Sequence, residues 1–154
     1  MINRQTFLRT SLAAAVMGAA LLSGCAASRP SMSTTIFEAE LSAANEVPAN
    51  PSYGKGTVEA SWKQSTMTLT YKATYSGLTG PVTAAHFHGP APAGVNAGVA
   101  LPVTVGTPAL MTMQGEAVLT EKQAADLAAG LWYFNVHTAA NPGGEIRGQM
   151  RQRG

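Results

Sequence analysis

All three histidines of the 154-residue chain fall in two short segments. His86 and His88 flank Phe87, and His137 comes much later in the chain. Alternate residues of a β-strand point to the same face, so His86 and His88 would project together and Phe87 to the opposite side. Three neutral imidazoles that meet at one point form a ligand set that suits copper, zinc or nickel. The chemistry predicted from these residues is therefore metal binding.

The segment 131–138 divides its side chains in the same way. Its apolar face carries Trp132, Phe134 and Val136, and its other face carries Tyr133, Asn135 and His137. If the aromatic face is inward, all three histidines lie on the outer faces of their strands and can converge where those strands are neighbours. Tyr133 and Asn135 would then be partners of the ligand histidines, or ordinary exposed strand residues. The alternative is that the histidines donate to backbone carbonyls and bind nothing.

Methionine is the other candidate ligand, because thioethers favour Cu(I). Met67 and Met150 fall on inward faces of their strands, which favours a role in the core. Met111 and Met113 lie in a loop-to-strand stretch that could approach the histidines.

The N-terminal residues are typical of an export signal. Arg4 and Arg9 precede an apolar stretch over 11–22, which is too short for a comfortable membrane span. Leu22-Ser23-Gly24-Cys25 resembles the bacterial lipobox. We predict a signal peptide over 1–24 that is cleaved before Cys25, with a diacylglycerol anchor on Cys25.

The segment that follows the cleavage site is small and polar, so we predict a lipidated flexible tether over 25–33 and one domain over 34–152. The residue after Cys25 is Ala26 rather than aspartate, which resembles the class sorted to the outer membrane, on the periplasmic side. The alternative is an ordinary signal peptide that leaves Cys25 as a free thiol. Cys25 is the only cysteine, so no disulfide can support the fold.

The charge balance argues against nucleic acid as a partner. Ten Lys and Arg face eight Asp and Glu, and removal of Arg4 and Arg9 would leave eight of each sign. A nucleic-acid-binding protein needs a clustered basic face, and none is evident. Near the C-terminus Arg147 and Arg151 share a face with Glu145, which predicts a solvated strand edge.

Alternation of apolar and polar residues predicts an all-β domain. About eight short strands are expected, near residues 34–41, 57–62, 67–75, 81–88, 99–105, 113–120, 131–138 and 145–151. One short helix is expected over 121–129, capped by Thr120 with Gln123 and ended by Gly130. The fold class predicted is a Greek-key sandwich or barrel of antiparallel strands.

Familiar catalytic arrangements are absent from the sequence. There is no nucleophile elbow and no phosphate-binding glycine loop, and the only aspartate, Asp126, falls in the predicted helix. No catalytic residue is predicted, and a role other than that of an enzyme is favoured.

Two stretches strongly resemble the CHRD domain, which is named from chordin and common in bacterial exported proteins. They are Ala85-His86-Phe87-His88-Gly89 and the segment from Asn135-Val136-His137-Thr138 through Asn141-Pro142-Gly143-Gly144-Glu145-Ile146-Arg147-Gly148-Gln149. The opening, Phe37-Glu38-Ala39-Glu40-Leu41 followed by Asn45-Glu46-Val47-Pro48, fits the family's start, and the resemblance covers about residues 36–151. Chordin binds ligands outside the cell, so the resemblance also implies a structural or protein-interaction module of the envelope, with the 89–98 loop or a sheet edge as its contact surface.

A more distant resemblance is to Cu,Zn superoxide dismutase, an eight-stranded Greek-key barrel. His86, His88 and His137 match three copper ligands of that family, which implies a mononuclear copper site here. The bridging histidine, the zinc ligands and the disulfide have no counterpart. Glu145 aligns best with the family's guiding arginine, and its charge has the wrong sign to attract an anion. Weak dismutase-like redox activity is therefore the third hypothesis, after metal binding and protein interaction.

Overall fold

The computed structural model describes residues 33–106 and 110–154. The predicted signal peptide, the lipid attachment at Cys25 and nearly all of the predicted tether lie outside these residues. The strands are β1 (Thr34–Ser42), β2 (Lys55–Lys63), β3 (Thr68–Ser76), β4 (Val82–His88), β5 (Val99–Val103), β6 (Thr112–Val118), β7 (Tyr133–Thr138), β8 (Ile146–Gln149) and β9 (Arg151–Gln152). Two 3₁₀ turns (Ala43–Asn45 and Gln64–Thr66) and one α-helix, α1 (Glu121–Ala128), complete the described elements.

The strands form one antiparallel sheet in the order β5-β4-β7-β8-β1-β2-β3-β6, and β9 pairs with β1. The connections β3 to β4 and β6 to β7 pass between distant strands, as in a Greek key. β5 and β6 stand at the two ends of the order and approach each other, so the sheet is a nearly closed barrel. The prediction of an all-β fold with about eight antiparallel strands and one short helix is confirmed.

Aromatic side chains fill the barrel around Phe87. Its ring centroid lies 4.9 Å from that of Phe134, 5.2 Å from that of Tyr71 and 5.9 Å from that of Trp132. Phe87, Phe134 and Trp132 are fully buried. The inward orientation predicted for Phe87, Trp132 and Phe134 is therefore confirmed, and it leaves the histidines on the other face of the sheet.

The four candidate methionines lie in the core, against it or on the surface of the described domain. Met150 and Met113 are buried in the core cluster, and Met67 packs against it. Met111 is exposed. The expectation that Met113 could approach the histidines is wrong, because β6 turns this side chain into the barrel interior.

The helix has the predicted cap. Thr120 Oγ1 accepts a hydrogen bond from the backbone N–H of Gln123, and Gln123 Oε1 accepts one from the Thr120 N–H, which is a capping box. Gly130 follows the helix with φ of +70°. In the described part of the chain, no helix has the length and apolar composition needed to cross a membrane.

Candidate metal centre

The three histidines lie on two strands that pair directly. β4 and β7 are antiparallel neighbours, with Ala84 opposite His137 and His88 opposite Tyr133. His137 is therefore diagonal to His86 on the shared outer face, within the range where side chains of neighbouring strands meet. The core side chains of β4 and β7 point into the barrel, so the face that carries the histidines is not part of the core. The sequence-based expectation that the histidines converge is confirmed.

One nitrogen from each ring lies within 4.8 Å of the other two. The closest pair is His86 Nδ1 and His137 Nε2, at 3.1 Å. Ring centroids are 5.0 Å apart for His86 and His137, 5.3 Å for His86 and His88 and 6.3 Å for His88 and His137. Bonds of about 2 Å from a shared ion require nitrogens about 3–4 Å apart, so ring rotations that close the widest separation by roughly 1 Å would complete the set.

Backbone carbonyls fix the orientation of two of the rings. His137 Nδ1 lies 2.9 Å from Pro142 O, and His88 Nδ1 lies 2.9 Å from Ala97 O. A carbonyl can only accept, so each Nδ1 carries the proton and each Nε2 keeps its lone pair. His88 Nε2 is buried and has no hydrogen-bond partner. This is the arrangement that metal-ligating histidines adopt.

The electrostatics of the cluster favour neutral imidazoles. Burial lowers the pKa of His86 below its ordinary value of 6.5, and the neighbouring His137 and His88 lower it further. Burial also lowers the pKa of His137, against the opposing effect of its hydrogen bond to Pro142, and His88 adds to the lowering. A metal ligand must be the neutral imidazole, so both shifts favour the form of His86 and His137 that metal binding requires.

Loops cover the cluster more fully than strand alternation indicates. His88 and His137 are each only 9% exposed, although they face away from the core. The loop over 89–98 supplies the Ala97 carbonyl, and the turn after β7 supplies the Pro142 carbonyl. His88 and His137 therefore lie beneath the backbone of these loops rather than on an open surface.

Tyr133 contacts a candidate ligand directly. Its ring stacks on His88 with centroids 4.9 Å apart and planes 3° apart, and its hydroxyl accepts a hydrogen bond from Ala97 N at 3.1 Å. Asn135 pairs with His86 in the strand register and is buried, and its Oδ1 has no hydrogen-bond partner. Tyr133 therefore contacts His88, while roles for Tyr133 and Asn135 as partners of metal ligands stay predictions.

The predicted solvated edge at Glu145 and Arg147 is wrong. Glu145 is fully buried and Arg147 is 2% exposed, while Arg151 is exposed as predicted. β8 lies between β7 and β1, so it is an interior strand of the sheet, and distant segments bind Glu145 and Arg147 through hydrogen bonds. The alternation of apolar and polar residues within a strand does not reveal whether distant loops cover its outer face.

Glu145 is held by hydroxyls and an amide from three separate segments. Ser52 Oγ and Thr138 Oγ1 donate to it at 2.6 and 2.5 Å, and Thr79 donates through both its N–H and its hydroxyl at 2.7 and 2.8 Å. Burial raises the pKa of Glu145, but these hydrogen bonds outweigh burial and lower it to about 2. Through its hydrogen bonds to Ser52 and Thr79, the carboxylate connects the turn that carries Pro142 to other segments of the barrel.

The fold and the site define a nearly closed β-barrel domain with a largely buried histidine cluster on the outside of its sheet. The family model for the CHRD domain matches residues 37–150, which is most of the chain. The protein belongs to the CHRD domain family. No curated protein and no solved structure matches the chain.

Proposed function

We propose that this CHRD domain binds a metal ion, with copper favoured, through His86, His88 and His137. The single observation that carries the proposal is the buried, unpartnered Nε2 of His88 beside the His86–His137 pair. A buried lone pair without a donor costs free energy, and a metal ion would satisfy it. Three nitrogen donors also fit copper, because Cu²⁺ binds such ligands more tightly than the other divalent first-row metals.

The available ligand atoms follow from the hydrogen bonds already described. His88 and His137 would use Nε2, since their Nδ1 atoms donate to carbonyls. His86 would use Nδ1, which already lies 3.1 Å from His137 Nε2. The chain would supply these three imidazole nitrogens, and the ion would supply Lewis acidity and, for copper, one-electron redox chemistry.

Copper titration of the purified protein against a competing chelator tests the proposal. The triple His86→Ala, His88→Ala, His137→Ala variant should lose tight binding. Met111→Ala is the matched control, because it removes an exposed thioether that could also bind Cu(I). Unchanged copper affinity in the triple variant would exclude the histidine site. A loss of copper affinity only in Met111→Ala would show that the Met111 thioether, and not the histidines, binds the ion.

We also propose that the domain lies in the cell envelope, anchored through lipid on Cys25 to the periplasmic side of the outer membrane. The sequence of residues 1–26 supports this location. Mass spectrometry of the N-terminal peptide should find a diacylated Cys25, and Cys25→Ala should release the protein from the membrane fraction. A free Cys25 thiol in the processed protein would contradict the anchor.

A second candidate function is metal-independent binding of an envelope protein. Three exposed apolar side chains lie on or beside the loops over the histidine face: Val47, Val95 and Val99, exposed by 36%, 48% and 52%. The Asn96 side chain donates to Val47 O at 2.9 Å, which brings the two loops together. Exposed apolar groups that cluster on loops are a feature of interaction surfaces.

Pull-down experiments separate the two functions. Val95→Ser together with Val99→Ser should abolish capture of a partner if the loops bind protein, and a chelator should leave that capture unchanged. Val118→Ser is the matched control, since Val118 is exposed at 74% on β6, where it pairs with Thr68 of β3 rather than with a strand that carries histidines. Capture that persists in the double variant would exclude this surface.

A further inference from the structure

Arg147 is a buried cation for which the described residues provide no ion pair. Its side chain is 2% exposed, and no salt bridge within the described ranges includes it. Burial of a charge is costly unless hydrogen bonds compensate for it. The compensation comes from Val95 O, which accepts from Nη2 at 2.6 Å, and from Asn96 Oδ1, which accepts from Nη1 at 2.8 Å.

The guanidinium also stacks on an aromatic ring. The Arg147 Cζ lies 3.3 Å from the centroid of the Tyr133 ring, and the same ring stacks on His88 with centroids 4.9 Å apart. Arg147, Tyr133 and His88 therefore form a continuous stack of three planar groups. Its last member is a candidate metal ligand.

The same guanidinium holds the loop that orients His88. Arg147 binds residues 95 and 96, and the next residue, Ala97, donates its N–H to the Tyr133 hydroxyl at 3.1 Å. Ala97 O then lies 2.9 Å from His88 Nδ1. Two routes thus lead from Arg147 to His88: one through the ring of Tyr133 and one through the backbone of the loop.

We propose that Arg147 is a positioning residue for the metal site, which fixes the plane and the tautomer of His88 through Tyr133 and the Ala97 carbonyl. This inference rests on the proposed function. Partners of metal ligands typically contribute ten- to hundredfold to affinity, and Arg147 acts one step behind such a partner. The planar five-donor fork is what the position requires, because a lysine cannot stack and bind two acceptors at fixed angles.

The experiment compares Arg147→Lys with Arg151→Lys in the full-length protein. Arg151 is an exposed arginine on the adjacent β9, so its variant controls for the loss of a guanidinium near the same end of the chain. Arg147→Lys should lower Cu²⁺ affinity about tenfold and change the copper electron paramagnetic resonance parameters. Arg151→Lys should do neither.

Tyr133→Phe provides a milder second variant. It keeps the ring stack and removes the hydroxyl that binds Ala97, so it should weaken Cu²⁺ binding less than Arg147→Lys and still alter the copper spectrum. If Arg147→Lys does not fold, Tyr133→Phe tests whether these contacts position His88. A Tyr133→Phe protein with the wild-type spectrum and affinity would then overturn the inference.

A measurement on metal-free protein separates this inference from the proposed function. In wild-type protein, long-range ¹H–¹⁵N spectra should show His88 protonated on Nδ1, and in folded Arg147→Lys that signal should be lost or exchange rapidly. An unchanged His88 signal would overturn the role of Arg147, whatever the metal result. Failure of wild-type protein to bind copper would instead overturn the proposed function.

Discussion

His86 Nδ1 lies 3.1 Å from His137 Nε2, across the paired strands β4 and β7. His137 Nδ1 donates to Pro142 O, so in the metal-free protein its Nε2 is an acceptor and His86 Nδ1–H is the donor. The same two nitrogens are those that a shared ion would bind. Metal binding at this site must therefore replace a hydrogen bond between two of its own ligands.

The first prediction is a change of tautomer at His86. Zn²⁺, which is diamagnetic, should move the His86 proton from Nδ1 to Nε2, while His88 and His137 keep theirs on Nδ1 because the carbonyls of Ala97 and Pro142 hold them there. Long-range ¹H–¹⁵N spectra with and without Zn²⁺ measure this. A zinc-bound protein in which His86 Nδ1 remains protonated would contradict the ligand assignment.

The second prediction concerns Glu145 and acid stability. Its folded pKa of about 2 lies below the ordinary 4.5, so the carboxylate contributes stability above pH 4.5 that is lost as the pH falls through 2. Glu145→Gln should reduce the free energy of unfolding by about 3 kcal/mol at pH 7, and the difference should shrink between pH 4.5 and 2. Urea unfolding across this range checks it, with exposed Glu40→Gln as the control. A pH-independent difference would show that Glu145 acts through packing alone.

The third prediction concerns Glu46, whose contribution to stability changes with pH in the opposite direction to that of Glu145. Burial raises the pKa of Glu46 to about 7, although the charge of Arg147 and the Val47 amide oppose the shift. Because the folded state binds this proton more tightly, Glu46 favours folding most below pH 4.5, and this contribution is lost as the pH rises through 7. Glu46→Gln should match the wild-type protein near pH 4 and exceed its stability at pH 8 by up to about 3 kcal/mol. A variant less stable than wild type at pH 8 would refute the assignment.

The fourth prediction tests the close approach of β8 to β1. A Cβ at Gly148 would collide with the backbone carbonyl of Glu40 and lie 2.9 Å from Leu41 Cδ2. Gly148→Ala should therefore destabilise the fold by about 1–3 kcal/mol, as overpacking does. Gly143→Ala, where a Cβ meets nothing within 4 Å, should stay within about 0.5 kcal/mol of wild type. Equal urea midpoints for the two variants would mean that the strands can separate at no cost.

Much of the framework could be read from local patterns. The alternation around Phe87 and Phe134 predicts which faces are inward, and Thr120 with Gln123 predicts the start of the helix. These features depend on neighbours in sequence, through the period of a strand or the geometry of a cap. The shared face of His86 and His88 has the same origin.

The sequence by itself determined the strands, the helix cap, the CHRD family and which three histidines form the candidate site. Only the tertiary structure decided that β4 and β7 pair, that Pro142 and Ala97 fix two rings, and that Glu145 and Arg147 are buried. The physical reason is that burial on the outer face of a sheet depends on which distant loops cover it. Ser52, Thr79 and Val95 supply that cover from segments far from β8 in sequence, and no periodicity within the strand records their presence.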